Sequence, residues 1–337
     1  MLLLIDSAAH LLVDALCAAV MLGPVRASEA FALLVLLYNT LAFSTQCLVG
    51  LAADRLRRDA CAACAAMLLV VLGFALPLPA VFRVCLVGVG NSVFHVAGGA
   101  MTLRSSGGKA GSLGVFVAPG AVGLTLGTLW PQLGVLFAVL LTAAAAAVIP
   151  AARREHAEQA APERPERGAD VPLAAVLLLT AAVAVRAVGG NAVRFPWKTS
   201  AGLTLLLTAF VFAGKTAGGF VCDRLGPGRA AWLSLPAAAV LIAFCAEWAA
   251  PSLLGQFALN LTMPVTLWLL YCAMPDAPGF AFGLAASALW PGTIAGRLMT
   301  LTGPALWLCV LGSILFGLYA VLFAAKTIHW GQMKRRC

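Results

Sequence analysis

The opening run LLLIDSAAHLLVDALCAAVML carries three ionisable side chains, Asp6, His10 and Asp14. Their i, i+4, i+8 spacing places all three on one slowly drifting stripe of a helix. The run is apolar over about 20 residues, enough to span a bilayer, and a charge held at that depth costs a few kcal/mol. A side chain kept at such a cost is a candidate for function. Asp14 is the deepest acid. A carboxylate there either takes up and releases a proton as its surroundings change or stands as a fixed charge paired with a buried cation. His10 and His95 suit proton relay or sensing, because imidazole titrates near neutrality, and each suits a hydrogen-bonded packing role equally well. Asp14, His10 and His95 are therefore the candidates for proton coupling.

Four cations also fall inside apolar runs: Arg83, Arg186, Lys215 and Arg297. Against Asp6 and Asp14 they form a surplus, which points to an anionic or negatively polarised substrate. Arginine is suited to bidentate contact with a carboxylate or phosphonate. Arg186 and Lys215 lie well inside their runs. Arg83 and Arg297 lie nearer the outer ends, where they contact substrate or snorkel to the headgroups. Asn91 and Asn260 are polar residues in two such runs, placed to meet substrate or to bond helix to helix. No cofactor or metal site is expected. Cys61-x-x-Cys64 lies within the apolar CAACAAMLLVV with no second pair to complete a zinc site, so these cysteines read as packing residues. No Walker motif is present for ATP-driven work.

The elements that position these residues follow from composition. Of 337 residues 62% are apolar and 10% charged, and the mean hydropathy is +0.98. That balance excludes an ordinary soluble domain. Backbone groups in lipid must be satisfied within a segment, so the apolar runs read as helices and the fold class as all-α integral membrane. Twelve segments can be drawn: 2–22, 29–52, 60–77, 81–103, 110–130, 133–150, 172–192, 199–221, 229–248, 251–273, 279–301 and 304–326. Around NAVRFPWKTS, segments seven and eight have room to be short or re-entrant. Met1 opens the first segment with no basic stretch before it, and Asp6 and Asp14 lie within it, so a cleaved signal peptide is not expected.

In this layout Arg55, Arg57, Arg58, Arg104, Lys109, Arg153, Arg154, Arg224, Arg229, Lys334, Arg335 and Arg336 share one side, which the positive-inside rule makes cytoplasmic, with both termini inside. The net charge of +9 is thus a topology signal, and a nucleic-acid partner is not expected. The polar stretch at 151–171 reads as a cytoplasmic linker between two six-helix bundles, 1–150 and 172–337, the latter ending in a short basic tail.

The halves repeat. Gly50-x-x-x-Asp54-Arg55-Leu56 recurs as Gly219-x-x-x-Asp223-Arg224-Leu225, an offset of 169 residues (219 − 50). The same offset relates Asn91 to Asn260 (260 − 91) and Gly114 to Gly283 (283 − 114). Pro119-Gly120 and Pro291-Gly292 form a looser pair, shifted by three residues. The glycines let helices approach closely, the aspartates can take hydrogen bonds from a neighbouring helix N-terminus or pair with an arginine, and the arginines hold the loops at anionic lipid headgroups. A gating role is expected for Gly50, Asp54, Arg55, Arg58, Gly219, Asp223, Arg224 and Arg229.

These motifs resemble the signature loops of the major facilitator superfamily over essentially the whole chain, although Arg57 stands where the first loop usually has glycine; the second loop has Gly226. His10-Leu-Leu-Val-Asp14, the run at 33–55 and Gly88-Val-Gly90-Asn91-Ser92-Val93-Phe94-His95 are similar to the fosmidomycin-resistance-type branch, departing from it at Val96 and Ala97. The resemblance implies two bundles related by pseudo-two-fold symmetry, rocking about a midplane site. It also implies a secondary transporter, with proton-coupled efflux of a small anionic or polar compound across a bacterial inner membrane. Proton-coupled uptake of a metabolite is the alternative. A polytopic enzyme would need His, Asp or Glu clustered at one membrane face, whereas these interior charges are single and scattered; a non-transporting scaffold would not need Asp14.

Overall fold

The computed structural model describes residues 1–105, 107–158 and 172–328. The C-terminal part of the linker and the basic tail, with Lys334, Arg335 and Arg336, lie outside the described residues. Among those described are twelve helices and no strand. In chain order they are α1 (Leu2–Leu22), α2 (Phe31–Leu56), α3 (Asp59–Ala75), α4 (Ala80–Ser105), α5 (Ala110–Leu129) and α6 (Gly134–Glu158), then α7 (Leu173–Ala192), α8 (Ala201–Leu225), α9 (Pro227–Phe244), α10 (Ala249–Ala273), α11 (Pro278–Leu298) and α12 (Gly303–Thr327). A π-helical turn, Thr40–Ser44, interrupts α2. Helices α7 and α8 are full spans of 20 and 25 residues, so the expectation of short or re-entrant segments does not hold.

Every helix begins within two residues of the apolar segment drawn for it, but several run on past it. α2, α6 and α8 continue through Arg55, Arg154 and Arg224. Charge marks the edge of the hydrocarbon, whereas helical hydrogen bonding persists beyond it until a cap or breaker intervenes. The α2 stop is Arg57, with φ 51° in the left-handed region. The α8 stop is Gly226, with φ 87°, at the same place in the repeat (226 − 57 = 169). Both loops thus turn through positive φ, at a cost to Arg57 that glycine avoids.

The helices cluster into two compact units. One comprises Met1–Ser106, Phe116–Arg164 and Ala277–Gly283; the other comprises Gly107–Val115, Pro165–Asp276 and Leu284–Cys337. Each sequence half therefore contributes the start of one helix, α5 or α11, to the unit built mainly from the other half. In the first unit α3 packs on α4 and α6, α1 on α6 and α2 on α4; in the second, α9 packs on α10 and α12, α7 on α12 and α8 on α10. The sequence repeat is thus a repeat of packing.

Candidate functional site

Asp54 in the last turn of α2 and Asp223 in the last turn of α8 reach the starts of α11 and α5. The Asp54 carboxylate accepts from the backbone N–H groups of Gly279 (2.9 Å) and Phe280 (2.7 Å). Asp223 accepts from those of Ala110 (2.9 Å) and Gly111 (2.8 Å). The amides that donate keep the same register as the aspartates that accept (279 − 110 = 169 and 223 − 54 = 169). A carboxylate here meets both the unsatisfied N–H groups and the positive end of the helix dipole. Gly50 and Gly219 make the approach possible: a Cβ on Gly50 would lie 2.4 Å from the Gly279 carbonyl oxygen, and one on Gly219 would lie 2.2 Å from that of Ala110.

The arginines that follow these aspartates are placed differently. Arg55, Arg58, Arg224 and Arg229 are exposed. The cation at Asp54 is Arg104 in the last turn of α4, whose Nη2 lies 2.8 Å from Asp54 and whose Nη1 pairs with Asp59. In the sequence Arg104 carries only the signal of a positively charged cytoplasmic side. The second unit has Ala273 and Gly228 at the corresponding positions (104 + 169, 59 + 169), so the ion pair is confined to the first unit.

Within the first unit, α1 and α4 bring Asp14, His10, His95 and Asn91 together. His10 Nε2 lies 3.4 Å from Asp14 Oδ2, and His95 Nε2 lies 3.6 Å from Asp14 Oδ1. The two imidazoles stand edge to face with centroids 4.4 Å apart. Asn91 Nδ2 donates to Asp14 at 3.1 Å. Each ring is fixed by its other nitrogen: His10 Nδ1 lies 2.7 Å from the Phe116 carbonyl oxygen, and His95 Nδ1 lies 2.9 Å from that of Asn91. A carbonyl only accepts, so both Nδ1 atoms carry hydrogen and both Nε2 atoms are directed at the carboxylate. Neutral rings would then set lone pairs against a carboxylate. One proton on either Nε2 turns that contact into a charge-assisted one. The three side chains are also the one set among the described residues whose metal-capable atoms converge, all within 4.8 Å.

Gly120 of α5 supplies the space. A Cβ there would lie 2.4 Å from His10 Nε2 and 2.6 Å from Asp14 Oδ2. The sequence pairs Gly120 with Gly292, but packing pairs Gly292 with Gly123. Gly123 meets the Leu11 carbonyl and Gly127 that of Ala15 on α1, as Gly292 meets Ala184 and Gly296 meets Val188 on α7. The glycines are related by 169 and their partners by 173 (184 − 11), so the counterpart of Asp14 is Ala187, next to Arg186.

The remaining candidates are dispersed. Arg83 binds the Leu78 carbonyl through Nε at 2.9 Å and those of Phe74 (2.9 Å) and Gly73 (3.4 Å) through Nη1, which makes it a cap on the last turn of α3. Arg297 is exposed and donates to Asn191 Oδ1 at 3.4 Å. Asn260 donates back to Gln256 of its own helix at 2.8 Å, unlike Asn91. Lys215 sits half-buried on α8, where its carbonyl meets Gly114 as that of Gln46 meets Gly283 (215 − 46 = 169). Arg186, on α7, donates through Nη2 to the Leu259 carbonyl of α10 at 3.0 Å.

Twelve membrane-length or near-length helices in two packing repeats, with reciprocal loop-to-helix caps, define the major facilitator fold, and solved structures of that fold are similar over nearly the whole chain. An alanine variant of the E. coli fucose:proton symporter FucP shares 14% identity at TM-score 0.66, covering 97% of this chain and 97% of that one. A major facilitator superfamily transporter, FucP in the outward conformation, shares 15% identity at TM-score 0.67, covering 95% and 97%. No protein-family model and no curated protein sequence matches the chain.

Proposed function

We propose that the protein is a proton-coupled secondary active transporter of the fosmidomycin-resistance type, exporting a small anionic or polar organic compound by alternating access across a bacterial inner membrane with both termini inside. The observation that carries this reading is the His10–Asp14–His95 cluster, an acid between two imidazoles of fixed orientation inside membrane-spanning helices. Proton occupancy of the Nε2 and Oδ atoms changes the net charge between α1 and α4, and it is this charge that an alternating site must gain on one side and release on the other. The paired aspartate caps suit gating, since a contact to a helix start can form in one state and release in another.

The likeness to a fucose:proton symporter suits proton coupling and keeps uptake by symport as the second reading. The test is transport in proteoliposomes with an imposed pH gradient, with EDTA present and labelled fosmidomycin and benzoate as probes. Efflux coupling predicts probe movement opposite to the proton gradient, and symport predicts movement with it. In either case Asp14→Asn should cut gradient-driven transport at least about a hundredfold, the lower end of the scale for a lost proton-transfer group. Transport indifferent to both gradient and substitution would remove the proton role.

A further inference from the structure

Among the described residues, Arg186 is a guanidinium without a counter-ion. Helices α7 to α12 contain one acid, Asp223, and that carboxylate is committed to Ala110 and Gly111. None of the ion pairs found among the described residues includes Arg186. Of the five N–H donors on Arg186, one is used on the Leu259 carbonyl, which also accepts from Thr262 Oγ1 at 3.1 Å. Its Nε is buried and has no hydrogen-bond partner. An inward-facing arginine held by one neutral acceptor leaves desolvation largely uncompensated, a state that an arriving anion relieves.

The arginine is nevertheless held in a built position. Its stem crosses α12 at Gly317, where a Cβ would lie 2.6 Å from Arg186 Cδ and 3.2 Å from Cγ. Gly317 is buried, and only a missing side chain lets the guanidinium reach α10. Three helices of the second unit therefore fix one cation: α7 provides it, α12 makes room and α10 holds an Nη. By helix register this cation stands one residue from the counterpart of Asp14. The acid–base chemistry thus belongs to the first unit, and the second unit holds a cation with no ion-pair partner among the described residues.

We propose that Arg186, positioned by Gly317 and the Leu259 carbonyl, is the anion subsite of the cargo site and takes a carboxylate or phosphonate group through its remaining N–H donors. This rests on the transport reading above. Arg186 is the binding residue, and Gly317 is a positioning residue that acts through it.

The test is equilibrium binding on the purified full chain in detergent, read by thermal unfolding at constant ionic strength. The probes are benzoate, phenylphosphonate, benzyl alcohol and benzylamine, which share a ring and differ in charge. The two anions should raise the midpoint by about 2–4 °C at concentrations roughly tenfold above Kd, and the alcohol and amine should not. Arg186→Gln should abolish the anion response. Arg186→Lys should keep a response weakened at least about fivefold, because ammonium retains charge without the planar fork. Gly317→Ala displaces a flexible stem, so it should leave the unliganded midpoint near the parent value and still weaken anion binding at least about fivefold. That pair keeps the test decisive if Arg186→Gln does not fold. Asp14→Asn should retain the anion response, which separates failure of this subsite from failure of the proton role. Equal stabilisation by the alcohol or the amine, or a parental anion response in Arg186→Gln or Gly317→Ala, would overturn the proposal.

Discussion

At the scale of single residues, the chemistry depends on what is left out as much as on what is present. The His10 and Asp14 contacts exist because Gly120 has no side chain, and each imidazole offers Nε2 because a backbone carbonyl occupies Nδ1. Gly120→Ala is therefore expected to push His10 away from Asp14. Gradient-driven transport in proteoliposomes should fall at least about tenfold while the protein remains monodisperse on size exclusion. Asp14, His10 and His95 were legible in the sequence as ionisable residues inside apolar runs, and the i, i+4 spacing already put two of them on one helix face. Gly120 was legible only as a packing glycine, since the neighbour it accommodates is more than a hundred residues away. Arg83 shows the opposite limit. Its place near the outer end of an apolar run leaves substrate contact and snorkelling open, yet its donors go to the Leu78 carbonyl and to those of Gly73 and Phe74 in the last turn of α3, a local need that hydropathy does not register.

At the scale of elements, helix ends carry the distinctive features. The sequence repeat located both loops, and the physical argument for an acid beside a helix N-terminus described what Asp54 and Asp223 do. The partner helices and Arg104 needed the structure, because nothing local to residue 54 points to residue 104 or to residues 279 and 280. Asp223→Ala is expected to lower stability by about 2 kcal/mol, the scale of hydrogen bonds to a charged group. Asp54→Ala should cost more, because it also takes away one of the two carboxylates paired with Arg104. Thermal unfolding of the two variants side by side checks the order. At the preceding turn, Arg57 occupies left-handed backbone where the repeat has Gly226. Arg57→Gly should gain about 0.5–1 kcal/mol by the same assay, the steric relief outweighing the added chain entropy.

At the scale of the whole molecule, the two sequence halves are not the two packing units. The described linker residues end at Glu158, and the domain boundaries at 150 and 172 follow the polarity of the chain. The contacts assign 107–115 and 277–283 the other way. Composition could not reveal that exchange, because the first turns of α5 and α11 look like any other helix start. It has a direct consequence for fragments. Residues 1–158 expressed alone lack the Gly279 and Phe280 donors for Asp54, and residues 172–337 alone lack those of Ala110 and Gly111 for Asp223. Each fragment should be unstable in detergent, and co-expression should recover a complex that co-elutes on size exclusion. Two fragments that each purify as stable monomers would contradict this.

The reciprocal caps also determine what mutational scanning can detect. Asp54 and Asp223 hold backbone amides, and the residues carrying those amides, Ala110 with Gly111 and Gly279 with Phe280, differ between the copies. Replacing the Phe280 side chain leaves its N–H in place, whereas proline at that position deletes the donor. An alanine scan would score the aspartates as essential and pass over Ala110 and Phe280 altogether; proline or ester substitutions at the amide would be needed to make the second half of each contact visible.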